Sequence, residues 1–313
     1  MPRILVTGGA GYIGSACVKS LIEKGYEVTI VDNLSKGLKR LIHPKARFIE
    51  VDLADKEKLS KVFFEKIDAV IHFAAYKAVG ESMKNPKKYS DNITGTINLL
   101  DAMSLYKVKK IIFSSSAAVY GVPNAPLLKE ETPCEPINYY GFTKLECERI
   151  ISWYSKINGI NYVSLRYFNV AGDCGLHYVD PEAENVFPIL MEVIQGKRDK
   201  FVIYGKDYDT RDGTCIRDYV DVNDLVEAHI YALNAGRNEI INLGTSNGVS
   251  VKELVDITID VTGVNFPYIF GEKRAGDAPI VVASNLKAKK ILKWMPKKTV
   301  RDMIKSTFEA YQA

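Results

Sequence analysis

Arg3-Ile4-Leu5-Val6-Thr7-Gly8-Gly9-Ala10-Gly11-Tyr12-Ile13-Gly14, carried on to Val31-Asp32-Asn33, is the stretch whose reading decides the fold. Ile4–Val6 reads as a strand. A glycine-rich loop follows, then a helical pattern from Ser15 to about Lys24 that Gly25 ends. Glu27–Val31 is the next strand, closed by Asp32-Asn33. Glycines in such a loop permit a tight turn and let phosphates approach the backbone at a helix N-terminus. Asp32 lies 18 residues after Gly14, near the spacing at which an acid accepts from an adenosine ribose. An acid there repels a 2′-phosphate, so the pattern favours NAD over NADP.

The alternation of strand and helix continues outward. Strands are expected at Arg47–Val51, Ala69–Phe73, Lys110–Phe113 and Tyr162–Tyr167. Helices are expected from Glu57 to about Glu65, from Pro86 to about Tyr106 and from Tyr139 to about Ile157. Repeated βα units with apolar strands give an α/β fold, a Rossmann-like, doubly wound parallel sheet. Ligands on such sheets bind beyond the strand carboxyl ends. Gly8–Gly14, Asp32-Asn33, Asp52-Leu53, Ala74–Lys77, Ser114–Ser116 and Phe168-Asn169 would share that rim.

From about Gly172 the pattern loosens into shorter elements. Helices are expected near Val186–Gln195, Asp224–Asn234 and Val300–Tyr311, and strands near Phe201–Ile203, Thr214–Val220 and Glu239–Leu243. Ser250-Val251-Lys252-Glu253 is a capping box that opens a further helix. This gives an NAD-binding domain over 1–172 and a smaller C-terminal substrate-binding α/β domain over 173–313, with some segments free to pack back on the first.

Composition narrows the function classes. The 313 residues are 47% hydrophobic and 26% charged, ordinary for a soluble globular chain. Net charge is +4, and the short basic clusters at Lys107–Lys110 and Lys287–Lys290 are no nucleic-acid footprint. Cys17, Cys134, Cys147, Cys174 and Cys215 are odd in number and lack CxxC spacing, which fits a reducing cytoplasm and neither disulfides nor a metal site. The chain runs from Met1-Pro2-Arg3 straight into a strand with no signal-peptide pattern, and no apolar stretch has transmembrane length. His72, after Ala69-Val70-Ile71, reads as a core histidine.

Tyr140-Gly141-Phe142-Thr143-Lys144 is the candidate catalytic stretch. Residues four apart on a helix share a face. An ammonium beside a phenol favours the phenolate, which would turn Tyr140 into a general base. Alone, the spacing is ordinary helix surface.

Together, the glycine loop, a serine at the end of a later strand and Tyr-x-x-x-Lys resemble the extended short-chain dehydrogenase/reductase superfamily. Within it the chain resembles the UDP-glucose 4-epimerase family along nearly its whole length. The matching stretches are Gly11–Ser15, Val31–Leu34, Phe73–Ser82, Asp91-Asn92, Ser114–Gly121, Arg166–Asn169, Gly213–Val220 and Gly276–Pro279. The resemblance implies interconversion of UDP-glucose and UDP-galactose through a transient 4-keto sugar, with tightly held NAD carrying the hydride. It implies Tyr140 as base, Lys144 as its pKa-lowering neighbour and Ser116 as the bond to the sugar oxygen. It implies NAD contacts from Gly8, Gly11, Tyr12, Ile13, Gly14, Asp32, Asn33, Asp52, Leu53, Phe73, Ala74, Ala75, Lys77, Asn92, Ser114, Tyr140, Lys144 and Tyr167. For the UDP-sugar it implies Ser116, Tyr140, Asn169, Asn185, Val186, Val202, Tyr204, Arg217, Arg274, Asp277 and the pocket-wall Val281.

It further implies a homodimer through the Pro86 and Tyr140 helices, to which Ile93, Ile97, Leu100 and Leu145 would give apolar material. Ala117 and Ala118 stand where related dehydratases and decarboxylases carry an acid, so the chemistry should stop at hydride transfer and return. The alternatives are an epimerase of N-acetylated or uronic acid UDP-sugars and, from another class, a non-catalytic NAD(H)-sensing regulator. The second typically lacks the tyrosine or the lysine, and both are present.

Overall fold

The computed structural model describes residues 1–123, 125–236, 238–274 and 276–312. In chain order the strands are β1 (Arg3–Thr7), β2 (Glu27–Asp32), β3 (Arg47–Glu50), β4 (Ala69–His72), β5 (Lys110–Ser116), β6 (Asn161–Tyr167), β7 (Asn169–Ala171), β8 (Phe201–Tyr204), β9 (Ile216–Asp221), β10 (Glu239–Leu243), β11 (Gly248–Ser250), β12 (Tyr268–Gly271) and β13 (Ile280–Val281). The helices are α1 (Tyr12–Glu23), α2 (Lys56–Val62), α3 (Val79–Ser82), α4 (Pro86–Leu105), α5 (Tyr139–Asn158), α6 (Val186–Ile194), α7 (Val222–Leu233), α8 (Val251–Thr262), α9 (Leu286–Leu292) and α10 (Val300–Gln312). The chain forms two compact units. One holds residues 1–121, 134–166 and 226–241, the other 122–133, 167–225 and 242–313. The units are therefore interleaved, where the sequence suggested one break near residue 172.

The first unit is built on a seven-stranded sheet of order β10-β6-β5-β4-β1-β2-β3. Its β1, β2, β3, β4 and β5 pair in parallel. Leu5, Val6, Val70, Ile71, Ile111 and Ile112 are buried, because helices cover both faces of such a sheet. The order reverses direction at β1, between β2 and β4, which sets the crevice at the strand carboxyl ends.

Helix α4 starts where Asn85 accepts from the Lys88 N–H, with Pro86 in the first turn. Helix α5 starts where Asn138 accepts from the Gly141 N–H and ends at left-handed Gly159. Gly141, Lys144, Leu145, Glu148 and Ile151 fall on its buried face.

The second unit carries a small sheet in which β9 pairs with β7, β11 and β13, and a separate parallel pair, β8 with β12. Phe187, Leu190, Met191, Tyr219, Leu254, Met303 and Ile304 form its core. Ser250 and Glu253 make both halves of the expected capping box.

Candidate active site

The glycine loop turns between β1 and α1. Gly8 has φ +71, and a Cβ there would lie 2.7 Å from the Ala74 nitrogen. A Cβ on Gly14 would lie 2.0 Å from the Gly8 carbonyl oxygen. No other residue fits either position. Gly11 is the N-cap of α1 with no side-chain cap, and Tyr12 and Ile13 lie on the first turn, the end of a helix that attracts an anion.

Asp32 closes β2, accepting from the Ala10 N–H at 3.0 Å and the Leu34 N–H at 2.9 Å. A carboxylate has about four lone-pair sites, so capacity remains for ribose hydroxyls. Burial pushes the Asp32 pKa up, and those two N–H groups act against it. Asn33 donates to Asp52 at 2.8 Å, and the Leu53 carbonyl accepts from Asn98 at 2.9 Å. Phe73 packs 4.7 Å from the His229 ring. Asn92 clamps the loop carrying Ala74, Ala75 and exposed Lys77: it accepts from the Tyr76 N–H at 2.8 Å and donates to the Tyr76 carbonyl at 3.1 Å. These residues fit NAD: a glycine cradle for the pyrophosphate, a carboxylate for the ribose and a clamped loop.

Tyr140 and Lys144 project from the first turns of α5 towards the end of β5. Ser116, the last residue of β5, neighbours the Tyr140 side chain and favours its ionised form. Its Oγ also accepts from the Ala118 N–H at 3.1 Å. Lys144 Nζ donates to the Ser114 carbonyl at 2.7 Å and lies 5.9 Å from the centre of the Tyr140 ring. The Phe113 ring is 5.0 Å from the same ammonium. The expected drop in the Tyr140 pKa does not occur in the chain by itself. Burial pushes the phenol up, and the neighbouring Ser116 hydroxyl only partly offsets it. Burial likewise pushes Lys144 down to about 8. The lysine spends a proton on a backbone carbonyl, and depth decides both directions. Ser82, which no spacing rule singled out, accepts from the Tyr140 N–H at 3.1 Å and so fixes the start of α5.

In the second unit Arg217 on β9 donates to the Ala278 carbonyl at 2.8 Å and meets Asp277 at 3.5 Å. Arg274 meets the other Asp277 oxygen at 2.7 Å and lies 4.8 Å over the Tyr204 ring. Val281 pairs in register with Arg217. Asn169 on β7 donates to the Asp218 carbonyl at 3.1 Å. Asn185 precedes α6, Val186 begins it, and Val202 lies on β8 with Tyr204. Tyr204, Arg217, Arg274, Asp277 and Val281 are thus brought together. Tyr167 closes β6. Among the described residues no cluster could hold a metal ion.

Fold and site define an NAD-binding α/β protein with the serine, tyrosine and lysine arrangement of the short-chain dehydrogenase/reductases. Residues 4–244 match the NAD-dependent epimerase/dehydratase family, and the chain belongs to it. The UDP-glucose 4-epimerase of Lactobacillus helveticus is 45% identical over 322 residues, covering 99% of this chain and 97% of the relative. The UDP-glucose 4-epimerase of Brucella ovis, solved in complex with NAD, superposes with a TM-score of 0.93 at 38% identity, over 99% of this chain and 98% of that one. The UDP-Glc/GlcNAc 4-epimerase of Campylobacter jejuni superposes with a TM-score of 0.89 at 38% identity, over 100% and 99%.

Proposed function

We propose that this chain is an NAD-dependent 4-epimerase that interconverts UDP-glucose and UDP-galactose. The observation that carries the reading is the cluster at the end of β5: Ser116 beside Tyr140, with Lys144 buried one helical turn away and donating to the Ser114 carbonyl. Tyr140 takes the proton of the sugar 4-hydroxyl, and Ser116 bonds that oxygen and keeps it in line. Lys144 holds the strand end through Ser114 and offers its remaining protons to a ribose. Bound NAD⁺ supplies the hydride acceptor and donor at C4, together with a positive charge that favours the phenolate. Arg217 and Arg274 suit a diphosphate, because guanidinium forks match its oxygens. Arg217, Arg274 and Asp277 would anchor the nucleotide while the keto sugar turns over. Ala117 and Ala118 follow Ser116 and supply no acid for elimination.

A panel of UDP-sugars with chromatographic product analysis tests this reading. Conversion of UDP-galactose and UDP-glucose is expected, and Tyr140→Phe should cost ~10²–10⁴-fold in kcat. Near-normal turnover by Tyr140→Phe with NAD bound would overturn the mechanism.

A second substrate is favoured by Val281, which lies beside Arg217 and is smaller than an aromatic residue. Weak epimerisation of UDP-N-acetylglucosamine is expected in the same panel. Val281→Tyr should abolish that activity and spare the other. Equal loss of both activities means that Val281 is not the gate.

We further propose a homodimer through α4 and α5 and residence in the cytoplasm. Phe142, Trp153 and Ile157 leave an exposed apolar stripe on α5. No disulfide joins any of the five cysteines, which suits a reducing compartment. Among the described residues no helix is long and apolar enough to cross a membrane.

A further inference from the structure

Glu148 lies one turn beyond Lys144 on α5, on the buried face that carries Lys144. Its side chain is 3% exposed and that of its partner Arg166 is 4% exposed. One Glu148 oxygen accepts from Arg166 Nε at 2.9 Å and from Ser115 Oγ at 2.5 Å. The other accepts from Arg166 Nη2 at 2.6 Å. Arg166 also donates to the Tyr120 hydroxyl at 3.0 Å. A pair buried this deeply is a weak device for stability alone, since well-packed apolar replacements are often neutral. Its position is more telling. Ser115 stands between Ser114, whose carbonyl accepts from Lys144, and Ser116, the neighbour of Tyr140. One carboxylate therefore ties down the strand end and sits a single turn from the ammonium.

We propose that Glu148 is a positioning residue for epimerisation, which locks the Ser114–Ser116 strand end to α5 and holds Lys144 in its ammonium form. This rests on the roles given above to Tyr140, Ser116 and Lys144.

The groups facing Lys144 are few. His72 approaches from β4 and is neutral, its pKa pushed down to about 3 by burial and then by the Lys144 charge. Phe113 presents its ring from β5. Tyr140 and Cys147 face it from α5, and burial pushes both of their pKa values up, so neither carries charge at neutral pH. Arg166 on β6 is taken up by Glu148. Glu148 thus supplies the negative charge. Burial pushes Lys144 down to about 8, and attraction to a Cys147 thiolate and then to Glu148 opposes that fall; with the Cys147 thiol neutral, Glu148 is the charge that remains. Without the carboxylate, burial acts with less opposition and the ammonium is lost at lower pH.

The test compares wild type, Glu148→Asp, Glu148→Gln and Glu148→Leu/Arg166→Met, each purified with NAD. Two readouts are taken across pH 6–10: kcat for UDP-galactose, and the Lys144 titration by ¹³C NMR of lysine-labelled protein, assigned through Lys144→Arg. In Glu148→Gln the Lys144 midpoint and the alkaline limb of kcat should both fall by about one pH unit, and in the double variant by less, because the Arg166 positive charge leaves with the carboxylate. Glu148→Asp keeps the charge and should keep both near wild type. KM for the UDP-sugar should not move in any variant. Should Glu148→Gln fail to fold, the double variant carries the test, because an apolar pair replaces the buried ions. A Lys144 midpoint that stays at its wild-type value while only the melting temperature changes would overturn the proposal. Wild type that turns over no UDP-sugar would overturn the reading of the activity instead, and the NMR midpoint would still decide the electrostatic role.

Discussion

His72 closes β4 with both ring nitrogens engaged, Nδ1 with Thr7 Oγ1 at 2.6 Å and Nε2 with Thr96 Oγ1 at 3.1 Å. Burial, with the Lys144 charge adding to it, pushes its pKa down to about 3. An unfolded histidine titrates near 6.5, so between these values the unfolded chain binds the extra proton. Stability from this group is complete above about pH 6.5 and is lost at about 1.4 kcal/mol per pH unit as pH falls towards the folded pKa. The urea midpoint of wild type should therefore drop between pH 7 and pH 5. The drop should be smaller in His72→Gln, which keeps a polar side chain without the titration. Equal drops in the two proteins would show that His72 carries none of the dependence.

Much at this scale was legible in the sequence. The apolar run before His72 announced a core histidine, and the spacing of Tyr140 and Lys144 announced a shared helix face. The direction of the Tyr140 shift was not legible. It depends on the depth of the end of β5 and on the Ser114 carbonyl that engages Lys144, and both are tertiary facts.

Helix α5 carries the candidate catalytic Tyr140 on one face and apolar side chains on another. Ile157 is 74% exposed, Trp153 60% and Phe142 40%. Lys156 lies 4.5 Å over the Trp153 ring, so the stripe is flanked by charge. The apolar residues expected from the sequence for a dimer contact divide differently. Leu100 and Leu145 are buried within their own unit, while Ile93 is partly buried against its core. If two copies pair through these helices, the exposed stripe is the material they bury. Light scattering at micromolar concentration should give twice the chain mass. Trp153→Glu should shift it towards the single-chain mass, because a desolvated carboxylate opposes burial of the stripe. A wild-type monomer would count against the pairing.

Among the long elements, α4 was readable from the proline at its start. Short ones were not: α3, β7, β11 and β13 have two to four residues each. A segment that short shows no period of its own, and its partners across the sheet determine it.

The sequence suggested a division near residue 172 with later segments packing back on the first domain, and the segment 226–241 that groups with the first unit bears on what can fold alone. Strand β10 read as a strand of the later segment, yet it forms the edge of the seven-stranded sheet beside β6. Nothing in Glu239–Leu243 names that partner, because an apolar strand suits any open sheet edge. Residues 226–241 also tie into the first unit through side chains. Lys110 donates to the Ala235 carbonyl, Asn238 accepts from the Tyr162 N–H at 3.0 Å, and Asn238 donates to Ser155 at 2.6 Å. His229 packs on Phe73. A fragment of residues 1–172 loses all of these and leaves the β6 edge unpaired, which invites pairing with other copies. It should aggregate or melt without a cooperative transition. Joining residues 226–243 to its end through a flexible Gly/Ser linker restores the missing strand and the Phe73 contact. That chain should regain a cooperative melt and retain NAD. A fragment 1–172 that melts cooperatively and holds NAD unaided would favour the contiguous division and remove the need for the returning segment.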